Sequence, residues 1–375
     1  MMKGLVSAKS IKSYDADLLR SVVAEQFETL ELTELLTPGR RVVIKPNLLT
    51  GRDPSVAITT HPAVIQAVVD WLREHGITDI TLADSPGGVY TPQRMKSVYH
   101  ACGMDKLTGI VLHEGIGWQT RFRQENVTCK SFNLIDPIAN ADVIINMAKL
   151  KTHGMTTFTA GIKNLFGCIP GLQKPEMHYR YPQTPDFSGM LVDLSRVVAP
   201  VLTVIDAIDA MEGEGPSGGT VRHMGYLFAS RDLYAQDWFA CSVIGIDPQT
   251  VDMLRIAREQ GLVDPEKIEV VGDIPKSIAP FELPKAHKSL LFVDYIPAFL
   301  RKPARALVAR VLRSVPQIIK PKCIGCGRCA ESCPAHTIAI KDKKAVINLD
   351  NCISCFCCQE MCPVKAIDVK RNLKF

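Results

Sequence analysis

No apolar run in this 375-residue chain approaches the roughly 20 consecutive residues that a membrane-spanning helix needs. The longest are about a dozen residues and are interrupted, for example by Asp294 and Pro297. Residues 1–17 lack an apolar stretch followed by a small-residue cleavage site, so no signal peptide is read and a cytoplasmic location is expected. Cysteine is sparse over residues 1–322, which hold four of the thirteen. A secreted disulfide scaffold would not leave so long a cysteine-poor body. No G-x4-G-K-[ST] loop occurs, which argues against phosphate-loop nucleotide hydrolysis. Gly213-x-Gly215-x-x-Gly218 matches the dinucleotide fingerprint only as letters, because Pro216 denies it a strand–turn–helix context. With 46% hydrophobic and 22% charged residues, wholesale disorder is excluded as well.

The other nine cysteines crowd into the last 53 residues. Cys323, Cys326, Cys329 and Cys333 form a C-x2-C-x2-C-x3-C-P run, and Cys352, Cys355, Cys358 and Cys362 repeat it 29 residues later. Three thiolates in a tight loop can hold three irons of a cubane, and in this pattern the fourth cysteine ligates the other cluster. One 4Fe–4S cluster is therefore assigned to Cys323, Cys326, Cys329 and Cys362. The second goes to Cys352, Cys355, Cys358 and Cys333. Gly325 and Gly327 leave room for backbone to wrap the first cubane. Zinc is the competing metal, but zinc knuckles do not need two such runs sharing ligands. Cys357 breaks the interval and is read as a non-ligand packed beside the cluster. This segment resembles a bacterial-type dicluster ferredoxin across residues 321–370.

Along residues 1–272, strand-like and helix-like segments alternate. Strands are expected at 41–45, 77–83, 109–113, 142–147, 201–206, 225–230 and 268–271. Helices are expected at 15–36, 62–75, 92–102, 187–198, 233–244 and 250–260. The alternation predicts an α/β fold with a doubly wound, largely parallel sheet, plus a small C-terminal α+β dicluster ferredoxin domain. The expected division is 1–282 for the α/β domain, 283–320 for a connector and 321–375 for the ferredoxin domain.

Polar motifs follow four of the expected strands: Lys45-Pro46-Asn47, Asp84-Ser85-Pro86-Gly87-Gly88, the stretch from Asn146 to His153, and that from Asp206 to Pro216. Carboxyl ends of strands are where open α/β sheets bind ligands. Lys45, Asn47, Asp84, Asn146, Lys149, Lys151, Lys163 and Asn164 are thus the expected ligand-binding residues, suited to a phosphate or carboxylate. His153 and His178 are the expected proton donors. Cys168 is read as structural, and Cys102, Cys129 and Cys241 as buried. Lys45-Pro46-Asn47, Lys149-Leu150-Lys151-Thr152-His153-Gly154, Ile162-Lys163-Asn164-Leu165-Phe166-Gly167 and Glu212-Gly213-x-Gly215-Pro216 together resemble the domain of unknown function family 362. Members of that family often carry a C-terminal dicluster ferredoxin module, which the resemblance implies here, without supplying a reaction.

Charge is uneven: residues 1–282 carry a net −6, residues 283–322 a net +8 and residues 323–375 a net +3. In residues 296–316, Arg301, Lys302, Arg305, Arg310 and Arg313 accompany Leu307, Val308, Val311, Leu312 and Val315 at helical spacing. The favoured reading is a helix packed on the acidic body; contact with an anionic membrane surface or an acidic redox partner is the rival, and nucleic acid is not expected. The whole predicts an iron–sulfur protein, an oxidoreductase acting on a small anionic ligand in the α/β cleft and served by a redox partner protein. The alternative is a non-enzymatic electron carrier or assembly factor whose cleft binds a partner. Two 4Fe–4S clusters are the expected cofactors, and no motif supports an additional flavin or nucleotide.

Overall fold

The computed structural model describes residues 4–275, 278–285 and 312–373. The body contains strands β1 (Leu5–Ser10), β2 (Val42–Lys45), β3 (Ile80–Leu82), β4 (Val111–Leu112), β5 (Trp118–Phe122), β6 (Ser131–Ile135), β7 (Val143–His153), β8 (Thr157–Thr159), β9 (Leu202–Glu212), β10 (Thr220–Ser230) and β11 (Glu269–Gly272). Its helices are α1 (Ala16–Thr29), α2 (Pro62–Glu74), α3 (Pro92–Ala101), α4 (Asp136–Asn140), α5 (Gly161–Asn164), α6 (Gln173–Arg180), α7 (Thr184–Val198), α8 (Leu233–Val243) and α9 (Asp252–Glu259). The main sheet runs β11-β1-β10-β9-β7-β2-β3-β4, with β8 paired to β7. Strands β9, β7, β2, β3 and β4 are mutually parallel, and β10 is antiparallel to both its neighbours.

Helices cover both faces, as a doubly wound sheet requires. On one face Phe187, Leu191 and Leu194 of α7 pack with Met253 and Leu254 of α9. On the other, Leu19, Val23 and Phe27 of α1 pack with Val64, Val68 and Leu72 of α2. Fully burying each such side chain stabilises by about 1.5–3 kcal/mol. Local chemistry sets the helix starts. Asp15 accepts from the Asp17 and Leu18 N–H groups, and Pro62 opens α2 behind a His61 cap.

Two strands run past their expected ends. β7 continues to His153 and β9 to Glu212, so Lys149, Lys151 and His153 lie on a strand rather than in a loop after it. Every residue of β7 is buried. Its lysines remain in the sheet because each finds buried acceptors, which polarity along the chain does not reveal. β1, the β5–β6 hairpin, β8 and α6 were not expected, and the first helix ends at Thr29 rather than 36.

The C-terminal module comprises β12 (Leu312–Ile318), α10 (Arg328–Glu331), β13 (Ile338–Lys341), β14 (Lys344–Ile347), α11 (Cys357–Glu360) and β15 (Ile367–Leu373). β12 pairs antiparallel with β15, and β13 with β14. Residues 312–316 of the expected connector helix are therefore strand, with Val315 buried. The pairing with β15 meets their backbone groups. The other connector residues singled out above, 301–311, lie outside the described residues. The duplication shows in the backbone too. Gly325 and Gly327 are left-handed, and Ser354 and Phe356 adopt the same conformation at the equivalent positions of the second run.

Candidate redox and anion site

The two cysteine runs fold around two cavities. One is lined by Cys323, Cys326, Cys329 and Cys362. The other is lined by Cys333, Cys352, Cys355 and Cys358. Among the described residues, no three His, Cys, Asp or Glu side chains converge closely enough for a single metal ion. Sulfurs spaced around a cavity suit a cubane instead. Backbone N–H groups already point at sulfur: Ala345 N–H donates to Cys323 Sγ (3.4 Å), Thr337 N–H to Cys333 Sγ (3.4 Å) and Ala366 N–H to Cys362 Sγ (3.1 Å). The Ala345 bond lowers the Cys323 thiol from its ordinary pKa, favouring the thiolate that iron requires. The donor set fits 4Fe–4S clusters.

A third cavity, of about 90 Å³, lies where the module meets the body. One water needs about 10–15 Å³ by this measure, so the space admits several waters or a small ligand. The body contributes Lys45, Asn47, Asp84, Lys151, His153, Lys163, Asn164, Lys174 and His178 to its walls. The module contributes Ser332, Cys357, Glu360 and Met361. Lys45 Nζ sits 2.9 Å from Asp84 Oδ1, and both side chains are buried. Gly167 lies directly over this pair: a Cβ there would come within 2.0 Å of Asp84 Oδ1. Only a bare backbone fits.

The remaining cations are less compensated. Lys151 Nζ donates to Asn47 Oδ1 (2.8 Å) and the Ile58 carbonyl (2.7 Å). Burial, reinforced by Lys163 and Lys149, lowers its pKa to about 7. Lys174 Nζ donates to the Ser85 carbonyl, Ser85 Oγ and the Ile169 carbonyl, and burial lowers it to about 7 too. Lys163 Nζ lies 5.3 Å from the Phe166 ring centroid and 5.7 Å from that of Phe187. Burial lowers its pKa as well.

Both histidines are buried and neutral near pH 7. His153 Nδ1 accepts from the Met155 and Thr156 N–H groups, so Nε2 carries the proton and faces Glu360 Oε1 at 3.2 Å. Burial holds His153 at about 4 and His178 at about 3. His178 stacks on Phe187 with ring centroids 4.2 Å apart, and its Nδ1 has no hydrogen-bond partner. Although burial raises the Glu360 carboxyl, His153, Lys163 and His178 outweigh it and hold the pKa at about 2.

Contacts seal the module to the body around this space. Ser217 Oγ donates to the Glu360 carbonyl (3.0 Å), and Arg52 donates to the Pro363 carbonyl (2.6 Å). Met361 packs so closely on Gly87 that a Cβ there would lie 2.5 Å from the sulfur. Adjacent cysteines face different spaces: Cys357 lines this third cavity and Cys358 the second cysteine cavity.

Six of the eight expected ligand-binding residues line the cleft, together with His153 and His178. Asn146 and Lys149 do not. Asn146 donates to the Gly161 carbonyl and accepts from Asn164. Lys149 is fully buried, donating to Asp206 Oδ2 and the Tyr14 hydroxyl at 2.9 Å each. Lys174, Glu360 and Cys357 were missed as cleft residues. Lys174 precedes His178 by four residues, a one-face helical spacing that could have found it. Cys168 is buried outside the cleft lining, with its thiol pushed up to about 12 by burial, as suits a structural residue. Cys102, Cys129 and Cys241 are buried.

Family comparisons agree with this architecture. Residues 42–242 match the model of the domain of unknown function DUF362, and residues 322–366 match a 4Fe-4S dicluster domain. The chain is 33% identical over 264 residues to the thylakoid-associated protein sll1697 of Synechocystis, covering 68% of this chain and 79% of that protein. It also superposes on the lactate racemase apoprotein of Thermoanaerobacterium thermosaccharolyticum, with 14% identity, a TM-score of 0.39 and coverage of 65% of this chain and 58% of that one. A Thermotoga maritima protein of known structure gives 12% identity, a TM-score of 0.36 and coverage of 61% and 58%. The chain thus spans under two thirds of either solved structure. No helix among the described residues is long and apolar enough to cross a membrane. The chain belongs to the DUF362 family and carries a C-terminal ferredoxin-type electron-transfer domain with two 4Fe–4S clusters.

Proposed function

We propose that the chain is an oxidoreductase that reduces or oxidises a small anionic ligand held between the α/β body and the ferredoxin module, with each cysteine set described above holding one cluster. The observation that carries this reading is the shared cavity: Lys151, Lys163 and Lys174 face it from one side, and Cys357, next to a cysteine of the second set, from the other. The clusters, when bound, supply single electrons. Lys163 and Lys151 attract the anion, and the Lys45–Asp84 pair with Asn47 and Asn164 fixes the cleft wall. The apolar surround excludes water, which strengthens these attractions. Because burial keeps His153 and His178 neutral near pH 7, the proton donor is Lys151, whose pKa of about 7 matches that task. His153 sets one wall against Glu360, with Nε2 3.2 Å from Oε1. In the reductive direction, electrons come from a redox partner protein and the proton from Lys151.

One observation favours a second reading, the non-enzymatic carrier or assembly factor. Glu360 already places a carboxylate against His153, so the cleft carries an internal anion. Anaerobic purification followed by mass spectrometry of the extracted small molecules separates the two. A retained anion that is lost in Lys163→Ala supports the oxidoreductase. An empty cleft with fast electron exchange to other ferredoxins supports the carrier. Residence is proposed to be cytoplasmic, with peripheral membrane contact as the name of the cyanobacterial relative suggests. Fractionation at low and high salt tests this, since peripheral electrostatic contact is released by salt.

A further inference from the structure

We propose that the Cys323–Cys326–Cys329–Cys362 set is the electron port of the molecule, and that its rim docks an acidic electron-carrier protein. The inference rests on the oxidoreductase reading only for the direction of flow; the docking surface stands on its own geometry.

The two cysteine cavities differ in exposure. The first is lined by Ile324, Ile340 and Val364, which are 61%, 39% and 37% exposed, and by the exposed Cys326. None of the residues lining the second is exposed, and Pro316, Phe356 and Cys358 are buried there. The cleft reverses this order. Two residues facing it, Ser332 and Cys357, directly precede Cys333 and Cys358 of the second set. A single one, Met361, directly precedes a cysteine of the first set, Cys362. The first set thus opens to solvent, and the second touches the cleft more extensively. Electrons entering at the first set pass to the second and leave beside Cys357.

Charge on the rim identifies the partner. Lys322 precedes Cys323, Lys341 follows Ile340 and Lys365 follows Val364, and all three lysines are exposed. The Lys343 carbonyl lies against Gly325, and that lysine is exposed too. Asp342 and Asp368 are the acids among them; Asp368 follows the lining Ile367, lies near Lys322 and is paired with Lys285 (2.9 Å). The rim's net positive charge exceeds the roughly −2 of an oxidised cluster behind it. An apolar centre inside a rim of net positive charge is the anatomy of a transient redox interface, with complementary charge steering the encounter. The complement is a protein with an acidic face around its own redox centre.

The test uses the anaerobic holoprotein and an acidic flavodoxin as the probe. Calorimetry at low salt reads binding, and stopped-flow oxidation of reduced flavodoxin reads transfer. The triple variant K322E/K343E/K365E is expected to weaken binding roughly tenfold or more and to flatten the salt dependence of the rate. The body variant K106E/K130E/R258E should bind as wild type. Iron content and the resonance spectrum of the reduced clusters check that the variants are loaded. If the triple variant loses iron, K343E/K365E, which leaves the residue beside Cys323 intact, takes its place. No flavodoxin complex, or equal weakening by the rim and body variants, overturns the proposal. So does binding to phosphatidylserine vesicles that the same rim substitutions abolish while flavodoxin does not bind, because the rim is then a lipid contact.

Discussion

Lys149 and Lys151 stand two residues apart on the same buried strand, yet they occupy opposite electrostatic regimes. Lys149 is matched: Asp206 and Tyr14 take its hydrogens, while the His61 and Ile208 N–H groups complete the carboxylate. Lys151 donates only to an amide oxygen and a carbonyl; Lys163 is nearby, and Glu360 offsets it without a direct bond. Burial of a charge without a counter-charge is costly, and it persists where a ligand supplies the missing charge. The contrast separates a lysine that holds the fold from one that, in the proposed function, awaits an anion.

Breaking the matched pair should have the largest effect on stability. Lys149→Met leaves Asp206 buried without its cation and is expected to destabilise the holoprotein by about 3–5 kcal/mol. Urea unfolding checks this, and a loss under about 1 kcal/mol would erase the distinction between the two lysines. Lys163→Ala, by contrast, should leave the urea midpoint nearly in place. It should weaken retention of the cleft anion about tenfold, equivalent to about 1.4 kcal/mol, as judged by quantitative extraction.

A smaller and graded effect is expected with pH. The folded pKa of Lys151 is about 7, whereas an unfolded lysine titrates near about 10.4. Between these values the unfolded chain holds the proton and the folded chain does not, so this group makes stability rise with pH across that window. Anion retention should fall as pH passes through about 7, and Lys151→Met should reduce that dependence, leaving the part due to Lys174, whose pKa is also about 7. Retention that is flat from pH 6 to 9 in the wild type would contradict the assignment. The smallest effect is expected at Cys357. Cys357→Ser should keep about eight irons, and Cys358→Ser should lose or convert one cluster, because the two thiols face different cavities. The reverse pattern in iron content and low-temperature paramagnetic resonance would reassign the second run.

What could be read from sequence followed how local the constraint is. Cluster ligation demands fixed spacing within one loop, so the cysteine runs were legible residue by residue. The strand ends at Lys45 and Asp84 were legible because turn chemistry follows a short apolar strand. Lys149 was placed in the cleft wrongly, since its partner Asp206 lies on another strand and only packing reveals the pair. Lys174 went unnoticed because α6 is polar and gives little apolar periodicity. Glu360 and Cys357 were hidden for a different reason: their role depends on how the module docks, which no short segment encodes.

The central claim, that the cleft and the second cysteine set form one redox site, is tested most directly by potentiometric titration of the two clusters followed by paramagnetic resonance. Lys163 interacts electrostatically with Cys357 and Glu360, so its positive charge favours the reduced state of the cluster beside them. Lys163→Met is predicted to lower the midpoint potential of one cluster and leave the other in place. Equal shifts in both, or none in either, would contradict the account.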